Sequence, residues 1–355
     1  MGSEVPDRMR AWRVHEFGPE PSEVLRLDEV EVPAPGPGEL LVRVQAIPLN
    51  LNDMERINGE NMMARPELPV TPGMEVMGVV AACGEGVEDR QGQRVVAMSK
   101  QATGGFAELA ICAATSAFEM PDEIPLPDAA ALYFPFHLAW VGLIDRGALT
   151  SGESVLIHAG AGGAGSAAIQ LAKQRGARVF ATAGTPEKVA LCKSLGADVA
   201  IDYEQEDFVQ VVLEATEGLG VDVVFDGVGE AVMEKSMRCI AYNGRYVMIG
   251  FASDKKYVDE PFIVPRRLAV GNFKLCGVLL SYANDAVAPM MKQAMGWNFC
   301  SDRLGAEIMA GIVDLVREKK VKPVIGEVVP FEALPDALER MRDRKTTGRV
   351  IITLD

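Results

Sequence analysis

Apolar and polar positions alternate in short bursts over residues 10–130. Arg10–Val14 and Leu40–Ala46 have the β-branched, apolar character of strands, and Gly73–Ala82 and Arg94–Ala97 continue it. The run Pro33-Ala34-Pro35-Gly36-Pro37-Gly38 forces a loop, and Gly84, Gly86 and Gly92 mark further turns. Many short strands with this punctuation predict a barrel. Near residue 134 the period changes. The apolar run Val155–His158 is followed by a helical stretch, Gly163–Arg175, and Arg178–Thr182 by another, Pro186–Leu195. Val199–Ile201, Val221–Phe225, Gly244–Ile249 and Lys274–Leu280 supply further strands. Strands and helices alternating at this spacing predict a parallel sheet wound on both faces. From Lys322 the chain returns to strands around one helix, Leu334–Arg342, and ends in Arg349–Thr353. The expected fold is therefore α/β. A β-barrel domain spans 1–133 and 319–355, and a doubly wound parallel-sheet domain spans 134–318.

Composition narrows the function more than the fold. With 48% hydrophobic and 24% charged residues the chain has the make-up of a globular protein, and no stretch approaches the roughly 18 uninterrupted apolar residues of a membrane span. The segment Met1–Val14 carries charges and no apolar core, so a cytoplasmic location is expected. A net charge of −15 repels phosphate backbones and anionic lipids, which disfavours nucleic acid and membrane as partners. The six cysteines, Cys83, Cys112, Cys192, Cys239, Cys276 and Cys300, contain no Cys-x-x-Cys pair, and only His15, His137 and His158 are histidines. No metal site is expected from such a set.

The chemical signal is Gly160-Ala161-Gly162-Gly163-Ala164-Gly165. It leaves a strand and opens a helix whose small apolar face is Ala164, Ala167, Ala168, Leu171 and Ala172, the context that turns a weak glycine pattern into a dinucleotide turn. Gly160 permits the tight turn, Gly162 lets backbone approach a pyrophosphate, and Gly165 lets helix pack on strand. The helix N-terminus offers N–H groups and partial positive charge to the phosphates. The end of the next strand bears on cofactor choice. An NAD site places Asp or Glu there, about 20 residues on, for the ribose hydroxyls. Here stand Ala183-Gly184-Thr185, with Lys188 one turn later, a hydroxyl and an ammonium suited to a 2′-phosphate. NADPH is the expected cofactor.

Several stretches together resemble the medium-chain dehydrogenase/reductase superfamily and its zinc-free quinone oxidoreductase branch. They are Pro35–Val42, Asn50–Asp53, Pro72-Gly73-Met74-Glu75 with Gly78, Gly104–Glu108, Ile157–Lys173, Ser194–Asp198, Phe225–Gly229 and Gly348–Ile351. The resemblance implies a GroES-like barrel built from both chain ends around a Rossmann domain. NADPH would lie in the cleft between the two, usually in a homodimer or tetramer. It further implies that Thr185, Lys188 and Tyr203 hold the 2′-phosphate side, and that Gly227-Val228 and Gly250-Phe251-Ala252 line the nicotinamide end. A homodimer through the edge strand Lys274–Leu280 is expected.

Departures from the pattern are equally informative. Zinc alcohol dehydrogenases of this superfamily carry Cys where this chain has Asn50 and His where it has Met74, and a four-cysteine loop is absent between Ser99 and Ala113. Without zinc there is no strong Lewis acid to polarise an alcohol or carbonyl. The expected activity is hydride transfer to a quinone or an activated C=C bond, with Asn50, and with it Asp53, organising a hydrogen bond to the substrate oxygen; Asp53 has the alternative of a structural partner within the barrel. Two other readings stay open. An enoyl thioester reductase is weakened because Asn61, Met62 and Met63 fall near where some relatives have a catalytic tyrosine, and Arg266-Arg267 is the only basic doublet in a candidate place. A non-catalytic NADPH-binding protein is the other. His158 reads as loop support, and the aromatic segment 133–140 with His137 as either a domain seam or a flat-substrate pocket.

Overall fold

In the computed structural model, which describes residues 5–59, 66–252 and 265–354, the chain divides into two units. The first comprises Met1–Tyr133, Ser281–Met309 and Val324–Asp355, the second Phe134–Leu280 and Ala310–Pro323.

Strand Glu39–Pro48 organises the first unit. It pairs antiparallel with Glu75–Cys83 on one side and with Leu109–Glu119 on the other. Arg94–Ser99 bridges those two partners, so the four strands close into a ring. Closure removes the exposed edges that an open sheet would leave. The C-terminal strands Arg349–Thr353 and Ile325–Pro330 extend the sheet, the former pairing Ile352 with Ile47. Val42, Val44, Val76, Val80, Val95, Phe106 and Ile352 fill the interior. Each such side chain contributes about 1.5–3 kcal/mol by leaving water. Ser281–Met309, which strand–helix alternation alone groups with the other domain, belongs to this unit. Its Tyr282 ring packs edge-on against Phe118 at 5.5 Å, and Phe118 against Tyr133 at 5.1 Å.

The second unit is a six-stranded sheet in the order Lys274–Gly277, Ile240–Met248, Val221–Asp226, Ser154–Ile157, Arg178–Ala183, Val199–Asp202. Every pairing is parallel. The chain therefore starts in the middle, winds outward one way, returns, and winds outward the other way. The reversal lies between Ser154–Ile157 and Val221–Asp226, the switch point where doubly wound sheets bind ligands. Helix Gly163–Gln174 ends one residue before the expected Arg175, with Gly176 in the left-handed conformation (φ +76°) stopping it. The strand expected from Gly244 starts earlier, at Ile240, and carries a register shift where Asn243 adopts φ +61°. Residues Phe134–Trp140 form an α-helix that widens into a π-helical turn over Val141–Arg146. Among the described residues no helix is long and apolar enough to cross a membrane.

Candidate functional site

The glycine turn stands at the switch point. His158 N–H donates to the Phe225 carbonyl at 3.1 Å and Gly160 N–H to the Thr182 carbonyl at 2.9 Å, which ties the turn to the strands on either side. A Cβ on Gly165 would run into the Ala159 carbonyl, and one on Gly160 would meet Cys192 Sγ at 2.8 Å. At Gly162 the nearest atom is Ala159 O at 3.3 Å, so this glycine leaves its outer side open. The N–H groups of Gly163, Ala164 and Gly165 precede the first intrahelical donor, Ser166 N–H, which bonds the Gly162 carbonyl at 2.9 Å. An anion approaching Gly162 meets them, so the turn fits a pyrophosphate.

His158 supports this turn from below. Its Nδ1 lies 3.0 Å from Thr182 Oγ1 and its Nε2 2.8 Å from Ser236 Oγ. Ser236 spends its hydroxyl proton on the Val232 carbonyl. Its oxygen must therefore accept from His158, which puts the imidazole proton on Nε2 and makes Nδ1 the acceptor. Burial pushes the pKa down to about 4, so the ring is a neutral clamp.

Two further segments complete the C-terminal edge of the sheet. On the outer side, the Tyr203 phenol lies across Gly184, where a Cβ would sit 2.5 Å from its hydroxyl. Thr185 caps helix Pro186–Ser194, accepting the Lys188 N–H at 3.3 Å. Gly184, Thr185, Lys188 and Tyr203 are thus brought to one corner. Sequence reasoning passed over Glu187, exposed in the first turn of that helix, whose own backbone N–H holds its carboxylate below the usual range. The N-cap-plus-two position of an acidic residue was the available signal. On the inner side, Ala252 N–H donates to the Gly227 carbonyl at 3.1 Å, joining Gly227-Val228 to Gly250-Phe251-Ala252. The buried Asp226 carboxylate fixes that loop by accepting from Val228 N–H at 2.7 Å, Gly229 N–H at 3.2 Å and Tyr246 Oη–H at 2.5 Å.

Asn50 and Asp53 come together in the barrel unit. Asn50 precedes helix Leu51–Asn58; Asp53 accepts its N–H at 2.9 Å and that of Met74 at 2.9 Å. Wholly buried, the Asp53 carboxyl is pushed up to about 6 by desolvation. The Asn50 amide donates to Pro48 O and to Glu75 Oε2, both at 3.1 Å, and its Oδ1 accepts from Arg349 Nη1 at 2.8 Å. Arg349 Nη2 reaches Glu75 Oε2 at 2.5 Å. Glu75 is 1% and Arg349 7% exposed. Both amide hydrogens of Asn50 are thereby directed into the protein, and Arg349, which nothing local in the sequence marked, is the residue that closes the cluster. Asn61, Met62 and Met63 lie outside the described residues.

Family models for an alcohol dehydrogenase GroES-like domain and for a zinc-binding dehydrogenase match residues 36–122 and 163–297. The human synaptic vesicle membrane protein VAT-1 homolog is 34% identical over 323 residues, covering 90% of this chain and 80% of its own. The chain belongs to the medium-chain dehydrogenase/reductase superfamily. Human quinone oxidoreductase, 28% identical over 98% of both chains, is another relative in the superfamily. The Escherichia coli quinone oxidoreductase, solved in complex with NADPH, superposes with a TM-score of 0.84 at 26% identity over 97% of this chain and all of its own. The two units are accordingly the GroES-like and Rossmann parts of the superfamily fold. Zinc, which one family model names, is a poor fit to this chain's donors. An amide and a thioether occupy the ligand positions, the neighbouring Glu75 is bound to Arg349, and among the described residues no three His, Cys, Asp or Glu stand together to hold a metal ion.

Proposed function

We propose that the protein is a zinc-independent, NADPH-dependent oxidoreductase that passes hydride to a quinone or to the activated C=C bond of an enone or enal. The closed Asn50–Glu75–Arg349 cluster carries the reading: with no Lewis acid among these groups, the barrel suits an acceptor whose reduced form needs little help in bearing charge. The nucleotide is held by Gly160–Gly165 at the pyrophosphate, by Gly184, Thr185, Lys188 and Tyr203 at the adenosine end, and by Gly227-Val228 with Gly250-Phe251-Ala252 at the other. Bound NADPH supplies the hydride. Asn50 and Asp53 set the backbone around Met74 on the substrate side, and Asn50 reaches a substrate oxygen only by releasing Pro48 or Glu75. The edge strand Lys274–Gly277 would pair with its copy across a two-fold axis in a homodimer, which sedimentation equilibrium checks.

The test is NADPH oxidation by protein stripped with a chelator, against simple quinones, enones, enals and a short enoyl thioester. Turnover on a quinone or enone that survives chelation supports the proposal. Loss of turnover on chelation overturns zinc independence. Nucleotide binding with no turnover on any acceptor would leave a binding protein instead. Asn50→Ala should lower kcat while sparing the nucleotide Kd.

A further inference from the structure

The loop at the nicotinamide end has little local sequence to hold it. Gly227-Val228-Gly229 joins strand Val221–Asp226 to helix Glu230–Arg238, and Gly229 lies in the left-handed region (φ +85°), which glycine enters and leaves at little steric cost. Its anchor is Asp226, 1% exposed. The carboxylate accepts from Val228 N–H at 2.7 Å and from Gly229 N–H at 3.2 Å. The Asp226 carbonyl accepts from Ile249 N–H at 2.8 Å, just before Gly250-Phe251-Ala252. One residue thus ties down both loops. Tyr246 in turn aims the carboxylate. Asp226 pairs with Met248 across the parallel ladder, so Tyr246, two residues earlier on that strand, points to the same face of the sheet. Its hydroxyl donates to Asp226 Oδ2. The ring is wholly buried, and burial keeps the phenol protonated far above the ordinary tyrosine range. Phenylalanine would fill the same space without that bond.

Resting on the nicotinamide reading of these two loops, we propose that Tyr246 and Asp226 are positioning residues for that end of the dinucleotide: a buried phenol–carboxylate pair that holds Gly227–Gly229 and Gly250–Ala252 in the shape that receives the ring. The adenosine end owes nothing to the pair. Gly184, Thr185, Lys188 and Tyr203 follow strands Arg178–Ala183 and Val199–Asp202, which strand Ser154–Ile157 separates from Val221–Asp226. Removing the phenol hydroxyl lowers the fraction of molecules whose loop is in the receptive shape, and apparent affinity falls by that fraction. The loss is confined to ligands that carry a nicotinamide.

Calorimetric titration with NADPH and with 2′-monophosphoadenosine 5′-diphosphoribose, which lacks the nicotinamide, separates the two ends and needs no acceptor. Wild type should bind NADPH more tightly than the fragment. Tyr246→Phe, which keeps the packing volume, should weaken NADPH by about three- to tenfold and leave the fragment within about twofold. Asp226→Asn retains a carbonyl for Val228 and Gly229 and an amide N–H for the phenol oxygen, so it should recover most of the NADPH affinity that Asp226→Ala loses. Equal weakening of NADPH and the fragment in Tyr246→Phe makes the residue a general support of the fold and overturns the proposal. Unchanged NADPH affinity in that variant overturns it too. Wild type that binds NADPH no more tightly than the fragment overturns instead the nicotinamide reading of the loops, and wild type that binds neither overturns the cofactor reading beneath it.

Discussion

Replacing Arg349 by Met removes one charge from a sealed cluster and leaves the rest in place. Glu75 then keeps its burial but loses the guanidinium 2.5 Å away, and Asn50 Oδ1 loses its donor at 2.8 Å. Breaking a buried pair from one side costs about 3–5 kcal/mol, because the abandoned charge cannot return to water. For a unit of roughly 150–250 residues each kcal/mol moves the melting temperature about 2–4 °C, so the variant should melt about 6–20 °C lower. The double variant Glu75→Gln/Arg349→Met removes both charges and should recover most of that loss, since burying no ion is often no worse than burying a pair. Urea and thermal unfolding of wild type, both single variants and the double variant measure the coupling. A single variant within about 1 kcal/mol of wild type would refute the reasoning. So would a double variant no more stable than Arg349→Met.

Three further outcomes follow from the same geometry. Gly165→Ala drives a Cβ into the Ala159 carbonyl and should abolish dinucleotide binding, read as loss of NADPH fluorescence enhancement, while Ala159→Gly relieves a left-handed alanine (φ +52°) and should stabilise by about 0.5–1 kcal/mol. His158, lowered to about 4, and His137, lowered to about 3, are both neutral when folded because burial penalises the cation. The unfolded chain protonates them below about pH 6.5, so their stabilisation is full above that pH and is lost as pH falls, about 3 kcal/mol for His158 by pH 4. Asp53 runs the other way: raised to about 6, its contribution is full below about pH 3.8 and is lost as pH rises through 6. Asp53→Asn should therefore steepen the fall of the urea midpoint between pH 7 and 4.5, and an unchanged or shallower fall would contradict the assignment.

Local pattern made the Rossmann unit readable. Helix Gly163–Gln174 and helix Pro186–Ser194 fall within a residue of their expected spans, since capping residues, glycine stops and 3.6-residue periodicity all act within one turn. The glycine turn was legible for the same reason, its strand, turn and helix being contiguous. The barrel cluster was not. Asn50, Glu75 and Arg349 meet across separations of 25 and 299 residues, and no period in the chain records which buried carboxylate an arginine that distant will reach. Tyr203 above Gly184 is another such meeting. Segment 281–309 was hidden because its strands, Tyr282–Ala283 and Cys300–Ser301, are two residues each, too short for alternation to register.

The clasp between Asn50 and Arg349 also sets an order of events at the ribosome. Synthesis at about 5–20 residues per second separates the barrel's fourth ring strand, ending at Glu119, from Arg349 by roughly 10–50 seconds. Throughout that interval the nascent ring holds Glu75 and Asn50 with no cation to seal them, and Glu39–Pro48 lacks the strand Arg349–Thr353 that will cover its end. The parallel-sheet unit, complete in sequence earlier save for Ala310–Pro323, has the better claim to fold first. The waiting barrel would then be the part that a chaperone protects.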